Sequence, residues 1–140
     1  MLNQCSIIGF IPAKDVAQAH AFYVDLLGLE LVSEDNFALV VRANGTLKAN
    51  GTLIRIVILG DFTPAPYTIL GWEVTDIAGA TAELSQQGVT FERYVSFEQD
   101  VSGIWTSPDG SRVAWFKDPA GNALSLSQHP PQSSQHPPQS

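Results

Sequence analysis

One phrase is written twice in this chain: an apolar run, an Asp, an amphipathic stretch, a Gly and a second apolar run. The first copy is Ile7 to Ile11, Asp15, Val16 to Leu27, Gly28 and Leu29 to Val32. The second is Leu70 to Val74, Asp76, Ile77 to Gln87, Gly88 and Val89 to Phe91. Each copy reads as strand, helix, strand, so the chain is expected to fold as an internal duplication with its chemistry between the copies.

In the first helix Asp15 is placed as N-cap with Gln18 three residues on, and Val16, Ala19, Phe22, Tyr23, Leu26 and Leu27 recur at helical spacing before Gly28 stops it. In the second, Asp76 caps, Ile77, Ala80 and Leu84 form the stripe, and Gly79 in the first turn weakens the pattern. Elsewhere the period shortens to that of strands. Phe37 to Val41 and Leu53 to Leu59 flank an Asn-Gly turn and predict a hairpin. Phe91 to Val95, Gly103 to Thr106, Val113 to Lys117 and Ala123 to Leu126 are strand-like, with turns at Pro108-Asp109-Gly110 and Asp118 to Asn122. The expected class is α+β: two paired βαβββ modules, about 5–60 and 67–127, forming a cup-shaped mixed sheet with helices on its outer face.

Two short repeats are of another kind. Ala43 to Leu47 returns as Ala49 to Leu53, which reads as a loop lengthened in place, and Ser127 to Ser133 returns as Ser134 to Ser140. Residues 128–140, rich in Pro, Gln and Ser, are expected to be a disordered tail after a single domain at 1–127.

With 140 residues the chain suffices for one domain that buries about 70% of its unfolded surface. A net charge of −7 with seven Lys plus Arg argues against nucleic acid and mildly favours a cationic partner. No apolar run approaches the roughly 20 residues of a membrane helix, and the start lacks the basic opening of a secretory signal, so no membrane partner and a cytoplasmic location are expected. Cys5 is the only cysteine, which excludes an internal disulfide and suggests a small apolar filler near the first strand.

The Asp15 to Leu29 stretch, DVAQAHAFYVDLLGL, and the Phe116 to Asn122 stretch, FKDPAGN, resemble the vicinal oxygen chelate superfamily, which includes glyoxalase I, extradiol dioxygenases and bleomycin-binding proteins. Phe62 to Tyr67 and Gly103-Ile104-Trp105 are also similar to uncharacterised bacterial glyoxalase-like proteins. The resemblance implies metal ligands seven residues before each helix-capping Asp and a Glu in the last strand. Those positions hold Ile8, Ile69 and Ser125, so no metal and no cofactor is expected. The resemblance also implies a homodimer.

The remaining candidates for the cup are Phe10, Arg55, Tyr67, Glu73, Phe97, Gln99, Asp100, Trp105, Trp115 and Ser125. Glu73 alternates onto the face of Gly71, where a carboxylate in apolar surroundings would receive a cation or act as a base with a raised pKa. Arg55 interrupts an apolar strand and would clamp an anion or pair with Glu73. Trp105, Trp115, Phe97, Tyr67 and Tyr94 offer aromatic surface, and Gln99 and Asp100 sit in a loop placed to close over a ligand. The leading expectation is a metal-free small-molecule binding protein whose ligand is cationic or aromatic. The alternatives are a metal-independent lyase or isomerase with Glu73 as base and Arg55 as clamp, and a structural module whose cup is filled by its own side chains.

Overall fold

The computed structural model describes residues 1–44 and 51–131. Most of the duplicated Ala43 to Leu53 loop, with its Asn-Gly turn, and the tail from Gln132 lie outside the described residues. The chain divides into two compact units. Unit 1 is Met1–Pro64 with Asp118–Asn122, and unit 2 is Ala65–Lys117 with the residues from Ala123 on.

In unit 1 the strands are β1 (Ile8–Ala13), β2 (Glu30–Glu34), β3 (Ala38–Ala43) and β4 (Thr52–Ile58). They form one mixed sheet in the order β1-β4-β3-β2, with β1 parallel to β4 and the other pairs antiparallel. A parallel pair needs a crossover, and the helix after β1 supplies it. That helix begins as α1 (Val16–Ala19), its Asp15 carboxylate accepting the Gln18 N–H at 3.1 Å. Where sequence periodicity predicts a single α-helix to Leu27, the structure widens into a π-helical segment over His20–Leu26, with the Leu27 N–H donating to the Phe22 carbonyl five residues back. The wider turn leaves the adjacent Phe22 and Tyr23 both buried, with rings edge to face at 5.0 Å. Gly28 then leaves the helix at φ 79°, a left-handed conformation that glycine adopts without a Cβ penalty.

One face of this sheet is core: Ile11 and Ala13, Ile54 and Ile56, Leu39 and Val41 are all buried. At its centre of polarity lies the buried carboxylate of Asp118. It accepts the Tyr23 hydroxyl at 2.6 Å, the N–H groups of Ala120 and Asn122 at 2.9 Å each, and the Asn122 side-chain amide at 2.8 Å. The same amide donates its second hydrogen to the Pro12 carbonyl at the end of β1. Burial, and then the Asp118 charge, push the Tyr23 phenol well above its usual range, so it remains a donor at any ordinary pH.

In unit 2 the strands are β5 (Thr68–Glu73), β6 (Trp105–Thr106), β7 (Arg112–Lys117) and β8 (Ala123–Gln128), in the order β5-β8-β7-β6. Again the first and last strands are parallel and the rest antiparallel, so the second βαβββ module repeats the topology of the first. Helix α2 (Ile77–Gln86) is capped by Asp76, which accepts the Gly79 N–H, and by Gln128, whose side-chain carbonyl accepts the Ile77 N–H. Gly79 therefore fits this helix start rather than only weakening it, because a Cβ there would meet the Asp76 carboxylate at 2.4 Å. Trp72 stacks on Phe116 at 6.3 Å, and Phe91 meets Phe116 edge on.

Three local expectations are corrected. Phe91 to Val95 is not a strand: after one bond from the Glu92 N–H to the Trp115 carbonyl the chain turns into a loop. β8 runs two residues beyond Leu126, because Val74 and Val113 keep Ser127 in the sheet. Cys5 is exposed, since the chain before β1 is a short 3-10 turn outside the core.

Two outcomes follow from this packing. Tyr23→Phe removes one donor to a charged acceptor and is expected to lower the unfolding free energy in urea by about 1.5–3 kcal/mol. Asp118→Ala costs more, because Tyr23 and two buried N–H groups lose their acceptor together. His20, whose Nδ1 lies 2.6 Å from Glu34 Oε1, titrates above its usual 6.5 because that hydrogen bond favours the imidazolium against a smaller desolvation cost. Its contribution to stability is full below 6.5 and fades as pH rises through the raised value. An NMR titration is expected to place the His20 midpoint above 6.5, and Glu34→Gln to bring it down.

Candidate functional site

Alternation along each strand sets one sheet face into the core and leaves the other open, and the open faces carry the candidates Phe10, Arg55, Ser125 and Trp115. In unit 1 the pairing places Phe10, Arg55 and Val40 in one row across β1, β4 and β3. Ile8 and Leu53 form the next row on one side, and Pro12 and Val57 the next on the other. Phe10 is 66% and Ile8 50% exposed, so this is an apolar surface with a guanidinium at its centre.

In unit 2 the corresponding row is Gly71, Ser125 and Trp115 across β5, β8 and β7. A Cβ at Gly71 would stand 2.5 Å from the Ser125 hydroxyl, so the glycine makes room for that side chain and leaves a shallow floor beside Trp115. Around Trp115 the aromatic candidates come together. Phe97 stacks on Trp115 with ring centroids 5.1 Å apart and planes 11° from parallel, and Trp105 lies 4.7 Å from Phe97. Tyr94 closes the group edge on, 5.3 Å from Trp115. All four are half-buried, which leaves ring surface accessible to a planar partner.

The loop that delivers Phe97 is tied by side chains in place of a neighbouring strand. Gln99 donates to the Glu92 and Gly103 carbonyls and accepts the Tyr94 N–H, each at 2.8 Å. Asp100 accepts the N–H groups of Ser102 and Ile104. Arg93, which sequence reasoning passed over, donates to the Asp100 and Val101 carbonyls at 2.6 and 2.7 Å. Gln99 and Asp100 thus build the loop, and an open groove of about 400 Å³ lies along it, lined by Glu98, Gln99, Asp100, Ile104, Trp105 and Thr106. Tyr67, just before β5, is exposed and takes no part in the aromatic group.

Glu73 departs from expectation. Its carboxylate accepts the Ser127 hydroxyl and the His129 N–H at 2.8 Å each, and His129 Nδ1 lies 2.7 Å away. The His129 backbone bond first, with Ser127 and the His129 ring adding, draws its pKa below the usual carboxylate value rather than raising it, because these donors favour the ionised form more than its slight burial opposes it. His129, read from sequence as part of a loose tail, is therefore a partner of Glu73. Only the parallel pairing of β5 with β8 brings the two together, and no local motif announces it.

A family metal finds no fitting donor set. Ile8 is aliphatic on the open face, Ile69 falls at the irregularity in β5, and Ser125 offers one hydroxyl, none of which suits a divalent transition metal. Among the described residues no group of three or more His, Cys, Asp or Glu is placed to hold an ion, and no helix is long and apolar enough to cross a membrane.

Comparison with known proteins agrees with this architecture. Residues 2–126 match the family model of the Glyoxalase/Bleomycin resistance protein/Dioxygenase superfamily. Among solved structures, TnmS3, an antibiotic binding protein from Streptomyces sp. CB03234, is 24% identical with a TM-score of 0.71, covering 93% of this chain and 99% of its own. A member of the same superfamily from Sphaerobacter thermophilus is 23% identical with a TM-score of 0.69, over 92% of this chain and 100% of its own. Lactoylglutathione lyase from Agrobacterium tumefaciens is 17% identical with a TM-score of 0.66, over 89% and 93%. None of the curated proteins matches the chain.

The Glu73 contacts carry a pH prediction. A depressed carboxylate stabilises the fold above its unfolded value, 4.5, and that stabilisation is lost as pH falls through the folded value. Urea midpoints measured from neutral to acid pH are expected to fall less steeply below 4.5 in Glu73→Gln than in the unsubstituted protein.

Proposed function

Because the chain belongs to the Glyoxalase/Bleomycin resistance protein/Dioxygenase superfamily, we propose that it is a metal-free binding protein for an aromatic small molecule held against the open face of its second sheet. The observation that carries this reading is the aromatic group itself. Phe97, Trp105 and Trp115 are half-buried rings packed on one another next to the row of Gly71 and Ser125, an arrangement that suits a flat ligand held by stacking. Glu98 and Asp100 along the neighbouring groove suit a ligand that also bears a positive charge, as does the net charge of −7. The antibiotic-binding role of TnmS3 is in keeping with the same use of the fold.

Binding is favoured over turnover. A lyase or isomerase would need Glu73 as a base near neutrality, and a carboxylate held ionised by His129 and Ser127 is a weak one. Metal independence rests on the side chains at Ile8, Ile69 and Ser125. A bacterial homodimer belongs to the same proposal and rests on the family resemblance.

A panel of planar aromatic compounds, cationic and neutral, tests the reading by thermal shift and tryptophan emission. A ligand at about 100 times its dissociation constant is expected to add roughly 2.7 kcal/mol of stability. It should quench emission, and Trp105→Leu and Trp115→Leu should each weaken it about tenfold or more. Binding that survives both substitutions removes the aromatic face from the site, and binding abolished by a chelator overturns metal independence.

A further inference from the structure

Arg55 gives the first sheet a chemistry that the aromatic face of the second lacks. From Leu53 to Ile58 its strand is otherwise apolar, and its row neighbours are Phe10 on β1 and Val40 on β3. Ile8, Leu53, Pro12 and Val57 flank that row. Among the described residues the Arg55 guanidinium makes no hydrogen bond and no ion pair within 4 Å.

The other charges of unit 1 nearby are occupied. Arg42, one row away on the same face, donates to Glu30 at 3.2 Å. The carboxylate of Asp35, whose field includes the Arg55 charge, accepts the N–H groups of Phe37 and Ala38 at 2.7 and 2.9 Å. Arg55 is thus a permanent cation with five unused donors on an apolar surface, beside an aromatic ring whose exposure is two thirds. A guanidinium in such surroundings takes a carboxylate or similar oxyanion through two parallel bonds, and the apolar neighbours reward a ligand whose anion is attached to a hydrophobic body.

We propose that the open face of the first sheet is a binding subsite for an amphipathic anion, with Arg55 holding the anionic head and Phe10, Ile8 and Val57 holding the apolar body. The subsite stands on unit 1 alone and is a separate proposal from the aromatic face of unit 2.

Anilinonaphthalene sulfonate, an aromatic anion, and phenylnaphthylamine, the same rings without the sulfonate, separate charge from apolar contact by fluorescence titration of the full chain. The sulfonate is expected to bind the unsubstituted protein more tightly than the neutral dye. Arg55→Gln should weaken the sulfonate about tenfold and leave the neutral dye unchanged, with Arg55→Lys intermediate. Benzoate should displace the sulfonate dye where inorganic phosphate at equal concentration does not. Melting curves of each variant confirm that the fold is kept.

Arg55→Gln that binds the sulfonate as the unsubstituted protein does overturns the subsite, as does a sulfonate that binds no better than the neutral dye. Equal displacement by phosphate overturns the amphipathic assignment. Trp115→Leu should leave the Arg55-dependent dye in place. A dye lost with Trp115 and indifferent to Arg55 reports the aromatic face instead, and so counts against this subsite while leaving the proposed function intact.

Discussion

The buried Asp118 carboxylate is the constraint on which unit 1 turns. A charge taken out of water is tolerated only where donors replace its hydration, and here four converge: the Tyr23 hydroxyl, two backbone N–H groups of the Asp118 to Asn122 turn, and the Asn122 amide. Each donor comes at a condition. Tyr23 reaches the site because the helix opens into a π-helical turn, Asn122 is held because it also donates to Pro12 at the end of β1, and Gly121 allows the turn to close at φ 95°. The turn, the helix and the first strand are positioned by one polar centre, and the apolar core is packed around it.

The two modules keep the same strand order and differ in what their open faces display. Equivalent rows read Phe10, Arg55, Val40 in one and Gly71, Ser125, Trp115 in the other. The core faces need only aliphatic bulk, so a duplication preserves them readily. The open faces are under no packing demand of that kind, and there the copies have diverged into a cationic apolar surface and an aromatic one. The scaffold is shared, and the chemistry is local to each module.

Much of the fold was legible because capping and periodicity act over a few residues. Asp15 and Asp76 cap the helices the sequence placed after them, Gly28 and Gly88 leave those helices in the left-handed conformation, and the order of strands follows the duplication. The site was legible in part: Phe97, Trp105 and Trp115 were singled out as aromatic surface, and the structure brings them within stacking distance. What escaped depends on pairing between distant segments. Phe91 to Val95 has strand composition, but the Gln99 side chain satisfies Tyr94 and Glu92 in place of a neighbour. Glu73 had the alternation of a cavity carboxylate, but the register of β5 on β8 gives it Ser127 and His129.

The sequence by itself determined the duplicated βαβββ plan, the two capped helices and the aliphatic or hydroxyl character of Ile8, Ile69 and Ser125, the positions where the family resemblance implies metal ligands. Each of these is written in residue type and short-range spacing, and no folding is needed to read it. Only the tertiary structure decided which polar groups meet. Tyr23 finds Asp118 across 95 residues and Glu73 finds His129 across 56, while Arg55 makes no hydrogen bond or ion pair among the described residues and lends only its field to Asp35. The state of a charge depends on neighbours that only strand register and loop closure can assign, and for that reason the ionisation of Glu73 and the open guanidinium of Arg55 are properties of the fold.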